Sequence, residues 1–512
     1  MRKLIQIIFI ALVFHGFISC KRDKILTGPS VKLNFSQPNI MFDTVFTKIG
    51  STTQIFRVHN NNNGEINISS IRLARGTASF YRLNVDGVPG TPGKVFTNIQ
   101  VAAKDSLYIF VEVTINPNYD PITSPFIYKD SIIFELNGNT QYFDLIAFGQ
   151  NAYYHMPNQT LIVTSTQAIY YDTLPVKLYG TDTFKNDKPH LIYGYLLVDS
   201  LQTLYIEPGT KIYVHNAGGI WVYRYGTINI AGTSASPVTF QGDRLEQAYQ
   251  DVPGQWDRIW INEGSTKNTI DHAVIKNAYI GVHAGYSVFD GLELPWADGS
   301  DHKRLTLTNT IIQNCSYAGL LGHFYNITGG NDVIVNCGSH LVEFDFGGNY
   351  SFYQCTFANY WDQTNNSTTP SARTTPSFLF NNYYNGNTLA QFDTLMFGNC
   401  IFDGTMAEEF QFDTITGGFM DRSVFAFNYC ALKTGILHVN TTPTNNCEII
   451  TGTSNLMRFD NTSNYNFDIS VNPPYSAAYQ AGLQMYNGGY FTDINGNPFI
   501  NGGNPNMGAY AK

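Results

Sequence analysis

Two histidines, three carboxylates and an amide recur at matching places in a series of short strands. His283, His323, Glu343, Asp345, Glu409 and Gln411 each follow a repeated polar-small residue pair and fall on alternate positions of their strands. Set side by side, these strands put Val282, Leu320, Val342, Phe344, Phe410 and Phe412 on one face and the polar set, with Leu321 and Asp413, on the other. Carboxylates two residues apart on a strand stand about 7 Å apart on one face. That spacing suits acid-base chemistry on a glycosidic linkage, or a Ca²⁺ site. It also suits a plain solvated face, because outward positions of a half-buried sheet are polar. Both readings stand at this point.

A long insertion, SVFDGLELPWADGSDHKR, runs from Ser287 to Arg304 beside these strands. Its Phe289 and Trp296 could stack on sugar rings, and its Asp290, Glu293, Asp298 and Asp301 could hold hydroxyls or a cation; the same aromatics could equally pack the loop down on itself. No HExxH motif, nucleophile elbow or phosphate-cradling loop occurs. The catalytic residues, if any exist, are therefore unassigned, and no motif calls for a cofactor other than Ca²⁺ at the acidic pairs.

Stepping along the chain shows what must position these groups. From about Val31 to Asn151 short runs such as QIFRVHN, SLYIFVEVTI and DSIIFEL alternate apolar and polar residues, broken by Gly, Asn and Pro. That pattern predicts an immunoglobulin-like antiparallel β-sandwich over 31–152. Beyond it the pattern changes to strands of four to six residues with tight turns and no helical period. A unit then recurs with its polar-small centre at 277/278, 314/315, 336/337, 354/355, 399/400, 429/430 and 446/447. Repeats of this length without helical periodicity predict a parallel β-helix, whose equivalent residues stack from coil to coil at about 4.8 Å.

The repeat absorbs six of the seven cysteines, which all sit at or beside its small-residue position. Stacked inward thiols act as compact apolar filler, so a reduced ladder is expected, although neighbouring coils lie within bridging distance. Asn277, Asn314, Asn336, Gln354, Asn399 and Asn446 are expected to form an adjoining ladder of mutually satisfied amides.

The opening MRKLIQIIFIALVFHGFISC has a basic start, an apolar run too short to span a bilayer, and Cys20 at its end. It resembles a bacterial lipoprotein signal, which implies cleavage before Cys20, acylation of its thiol and tethering to the outer membrane; Phe17 departs from the usual Leu. Whether the protein faces outward or into the periplasm stays open. Charged residues make up 13%, against roughly 25% in an average domain, and the formal net charge is -9. With no Lys/Arg cluster, nucleic acid is excluded as a partner.

IEPGT (206–210), GTINIAGTSASPVTF (226–240) and GQWDRIWI (254–261), with NPPYSAAYQAG, DINGNPF and NPNMGAY near the end, resemble right-handed parallel β-helix proteins of the pectin-lyase-like superfamily found in Bacteroidota lipoproteins. The resemblance covers roughly 190–512 and implies an all-β fold: a right-handed parallel β-helix preceded by the sandwich. It is nearly silent on activity. Asp271-His272 and Gly322-His323 resemble fragments of the catalytic motifs of that group without their companions. The expected organisation is a signal (1–20), linker (21–30), sandwich (31–152), connector and cap (153–189), β-helix (190–470) and closing segment (471–512). The expected function is non-catalytic binding of a polysaccharide or other surface ligand. The alternatives are a polysaccharide lyase or glycoside hydrolase, and a purely structural surface component.

Overall fold

The computed structural model describes residues 24–119, 125–163, 167–175, 179–265, 267–285, 304–361, 373–384, 387–388, 392–413, 425–435, 444–451, 457–469, 474–499 and 504–511. Cys20, Phe289 and Trp296 lie outside them. The chain divides into two compact units, Met1–Asn151 and Ala152–Lys512.

The first unit is a sandwich of two five-stranded sheets. Alternation fixes which side chains meet: Phe56, Val58, Ile109, Val111, Ile132, Phe134, Phe143 and Leu145 interleave in a single core. The pairs are antiparallel except one, where Asn39–Phe46 runs parallel to the last strand, Asn139–Gln150.

The second unit is a parallel β-helix whose coils visit three sheets in turn. Sheet 1 is built by strands such as Ala273–Lys276, Ile311–Gln313, Val333–Val335, Thr356–Asn359 and Ile401–Gly404. Sheet 2 takes Ile259–Asn262, Ile280–Gly285, the first halves of Ala318–Gly330 and His340–Tyr353, then Phe378–Asn381 and Phe410–Asp413. Sheet 3 takes Asn268–Asp271, Arg304–Thr308, the second halves of those two long strands, and Phe392–Gly398. Parallel pairing begins before residue 190, since Tyr153–His155 already aligns with His190, Leu191 and Ile192. The inward columns are aliphatic in the early coils (Ile228, Ile230, Ile270, Ile275) and become rich in phenylalanine later. Phe378 stacks on Phe410 at 4.9 Å and Phe397 on Phe427 at 5.1 Å. Each such ring contributes roughly 1.5–3 kcal/mol by leaving water.

The recurring polar-small pair proves to be two different corners. Asn277, Asn314 and Asn336 turn sheet 1 into sheet 2, whereas Gln354, Asn399, Tyr429 and Asn446 turn sheet 3 into sheet 1. All seven have φ between 50° and 63°. That left-handed conformation disfavours most side chains, and Asn tolerates it best after Gly. His272, Asn309 and Asn331 occupy the same sheet 3 to sheet 1 corner with positive φ. The irregular spacing follows: 277, 314 and 336 count coils at one corner, 354, 399, 429 and 446 count them at the other, and the step from 336 to 354 crosses between them.

The cysteines divide accordingly. Cys315 and Cys337 stack above Ala278, and Cys355, Cys400, Cys430 and Cys447 form a separate column; all six are free thiols. The backbone N–H groups of Cys400 and Cys430 each point at the next sulfur, 3.4 Å away. Asp332 fills the equivalent corner one coil before Cys355, fully buried and accepting from the Thr310 and Gly330 N–H groups at 3.1 and 2.9 Å. Burial holds its carboxyl well above the usual range.

The expected amide ladder is corrected at most rungs. Asn314 Nδ2 donates to Asn277 Oδ1 at 2.7 Å, Asn336 Nδ2 has no hydrogen-bond partner, and the others reach elsewhere. Gln354 donates to the carbonyl of Asn506, Asn399 to that of Leu483, and Asn446 to the Tyr429 hydroxyl. A turn amide at a corner projects outward, where the returning chain offers it backbone partners. Residues 457–469, 474–499 and 504–511 indeed fold back over the outside of sheet 1. Phe467, Ile494 and Ala509 pack on Val333, Val335 and Ala358, and Met457, Ile469, Ala478 and Met507 pack on Ile401 and Ala431.

Candidate functional site

With sheet 1 covered by its own chain, the outward faces of sheets 2 and 3 remain. Sheet 3 presents small polar side chains in register, Thr269, Thr306, Thr328 and Ser351. Sheet 2 is different. Its outward register runs Trp221, Trp260, His283, Leu321, Glu343, Leu379, Gln411. The inward partners are those expected from alternation: Val282, Leu320, Val342, Phe344 and Phe410 are buried in the helix core, and Phe412 packs against it.

Stacking in register orders the first part of this column. The Trp221 and Trp260 rings lie 5.1 Å apart and 9° from parallel, and the His283 ring continues the stack 6.1 Å beyond Trp260. Because the faces are used on one another, the column offers its polar edges. Trp221 Nε1 donates to Asn262, whereas Trp260 Nε1, on a side chain 4% exposed, has no hydrogen-bond partner.

From His283 a chain of hydrogen bonds crosses to the neighbouring outward column. Arg258 Nη1 lies 3.2 Å from His283 Nδ1, His283 Nε2 lies 3.2 Å from His323 Nδ1, and His323 Nε2 lies 3.3 Å from Asp345 Oδ2. A guanidinium only donates, so His283 Nδ1 accepts. Its Nε2–H then donates to His323 Nδ1, and His323 Nε2 faces Asp345 Oδ2 at 3.3 Å. Both imidazoles are thereby fixed as neutral Nε2–H tautomers. Arg258 is itself clamped by Asp257 through two 3.0 Å bonds, and Tyr195 donates its hydroxyl to that same carboxylate. Burial works against the Arg258 charge, yet Asp257, Tyr195 and Tyr279 together more than offset it and the guanidinium pKa is raised.

Glu343 stands beside Asp345 on the same strand, 8% exposed, with Oε2 lacking any hydrogen-bond partner. Burial first, and the neighbouring Asp345 second, push its carboxyl up to about 7. Sequence alternation thus brings His283, His323, Glu343 and Asp345 together, and Gln411 lies exposed further along the column. The expected solvated stripe is corrected to a nearly enclosed network, since His283, Glu343 and Asp345 are all 9% exposed or less.

Glu409 is corrected more sharply. It precedes its strand and turns beneath it, where Arg373 holds it through 2.7 and 2.8 Å bonds with both side chains fully buried. Ser377 donates to it as well, from backbone and hydroxyl. It is a structural anchor of the coil, outside the network. Asp271, His272 and Gly322 of the two motif fragments have structural duties. Asp271 accepts from Thr308 and Asn309 at 2.8 and 2.9 Å, and its neighbour His272 serves as a left-handed corner. Gly322 is required because a Cβ there would stand 2.9 Å from Phe344 and Tyr350, whose rings stack at 3.7 Å.

Sequence reasoning missed Trp221, Trp260, Asp257 and Arg258. WVY and DRIWI place them one and two coils before the histidines, but the repeat was counted only from residue 277. Among the described residues no group of three or more His, Cys, Asp or Glu side chains could hold a metal ion.

No protein-family model matches the chain, and no curated protein does. Among solved structures it is similar to the ASH/PapD-like domain 7 of human CEP192 (13% identity, 26% of this chain and 96% of that one, TM-score 0.17). It is also similar to a family 123 glycoside hydrolase from Clostridium perfringens (10%, 29% and 26%, TM-score 0.16). A third is the Pseudomonas fluorescens alkylpurine DNA glycosylase AlkC (12%, 23% and 32%, TM-score 0.14). Overlaps of this extent carry no argument about fold or activity. What defines the molecule is its own architecture, a parallel β-helix with one chemically distinct face.

Proposed function

We propose that this is an exported, lipid-anchored envelope protein of the pectin-lyase-like β-helix type found in Bacteroidota, and that the outward face of sheet 2 binds glycan without turning it over. The observation that carries the reading is the column from Trp221 to Glu343, with a buried indole N–H and a buried carboxyl oxygen left without partners. Such unmet groups are costly and uncommon in a finished core, and saccharides supply the matching hydroxyls. Tethering rests on Cys20 and the short apolar run before it.

A second reading, cleavage of the bound glycan, is favoured by Glu343: a carboxyl titrating near neutrality beside a proton-ordered histidine pair is suited to general acid-base chemistry. Incubating the purified mature protein with polyuronates and neutral glycans, with and without Ca²⁺, separates the two. Retention of glycan without new chain ends, lost in Glu343→Ala, is the expected result. Unsaturated or shortened products would replace binding with catalysis, and no retention of any glycan would reject both.

A further inference from the structure

The charges around the sheet 2 column define what kind of saccharide it accepts, an inference that rests on the glycan-binding reading. Arg258 is matched by Asp257, and Arg224 forms an ion pair with Glu263. His283 and His323 are neutral, because the direction of the chain from Arg258 leaves each with one proton. Among the described residues this leaves no unmatched positive charge along the column. Against that stand two carboxyls on one strand, Glu343 and Asp345, hydrogen-bonded to each other, with the Tyr317 hydroxyl on Glu343 and His323 Nε2 3.3 Å from Asp345. Asp413, further along, is paired with the Tyr383 hydroxyl at 2.7 Å.

A uronate carboxylate brought here would face two carboxyls with no cation to receive it. An ammonium reverses the balance. It brings three donors, one of them for the unpartnered Glu343 Oε2, and its charge allows both carboxyls to ionise side by side. At the other end Trp260 Nε1–H needs an acceptor, which a ring or hydroxyl oxygen provides. Trp260 aligns with His283, His283 with Leu321 and Leu321 with Glu343, so the two unmet groups are three rungs apart, about 14 Å. That is the reach of a short oligosaccharide.

We infer that the sheet 2 column binds an amine-bearing oligosaccharide, a hexosamine chain, with its ammonium between Glu343 and Asp345 and an oxygen of a distal sugar on Trp260. Calorimetric titration of the mature protein with three oligomers of equal length tests this: β-1,4-linked glucosamine, its N-acetylated counterpart, and galacturonate. The glucosamine oligomer is expected to bind at least about tenfold more tightly than the N-acetylated one, with no galacturonate binding. Glu343→Gln should erase that preference while keeping a cooperative melt, and Trp260→Phe, which keeps an aromatic ring but loses the N–H with the pyrrole half of the indole, should weaken the glucosamine oligomer several-fold. Equal or tighter binding of galacturonate or of the N-acetylated oligomer overturns the inference and leaves glycan binding intact. Failure of every saccharide to bind overturns both.

Discussion

At the scale of single residues, two carboxylates that look alike in sequence have opposite fates. Glu343 lacks a cation and is held up to about 7, whereas Glu409 is enclosed with Arg373. The groups facing Glu343 are Asp345, His323 and Tyr317. Since its folded pKa is raised from 4.5, the native state holds a proton that the unfolded state releases, and stability falls as pH climbs from about 4.5 through 7. Glu343→Gln removes that penalty. Compared with the unsubstituted protein, the variant should gain on the order of 2–3 kcal/mol between pH 5 and pH 8, read as a widening gap in melting temperature across a pH series. A constant gap would mean that Glu343 is ionised throughout. Glu409→Gln should instead cost about 3–5 kcal/mol, because it strands the buried Arg373 charge. Melting within a degree or two of the parent would show that the pair is not needed. Alternation made Glu343 legible as outward, but nothing in EEFQFD tells that Glu409 precedes the strand and folds under it, and its partner Arg373 lies 36 positions earlier.

At the scale of elements, the corners do most to specify the coil. The Asn-small pair and the stacked, unbridged cysteines are legible in the sequence, but the two corners are not told apart there because both need the same thing: a left-handed residue followed by a small inward one. Only strand register separates them. Six thiols should therefore react with a thiol reagent after unfolding without reductant, in protein lacking the signal and Cys20, and fewer than six would reveal a bridge. Asn399 carries two duties, a left-handed φ of 53° and a pair of bonds at 2.9 Å to the backbone of Leu483. Asn399→Ala should cost roughly 2–3 kcal/mol, combining the left-handed penalty with the lost bonds, and should free the C-terminal segment to limited proteolysis before the coils. Unchanged cleavage would show that the segment is held by its apolar contacts alone. The motifs near the end mark a closing segment, but its seat along sheet 1 is not legible in the pattern, since its partners are contributed by coils about 80 to 160 positions away.

At the scale of the molecule, the second unit has three sheets with three outward characters: one covered by its own chain, one lined by small hydroxyls, one carrying the aromatic and titratable column. The all-β class was legible in the sequence because period-2 alternation and the repeat are local signals. The distinct character of sheet 2 was only half legible, because Trp221 and Trp260 precede the counted repeats. Phe289 and Trp296 lie outside the described residues, and the proposed binding rests on the column itself. Hydrogen-deuterium exchange on the mature protein, alone and with a panel of neutral, amino and acidic oligosaccharides, tests that placement most directly. Protection by at least one glycan is predicted at 257–262, 280–285, 318–323 and 340–345, the strands of sheet 2. Protection confined to the sandwich or to the other two sheets, or none from any glycan, would contradict it.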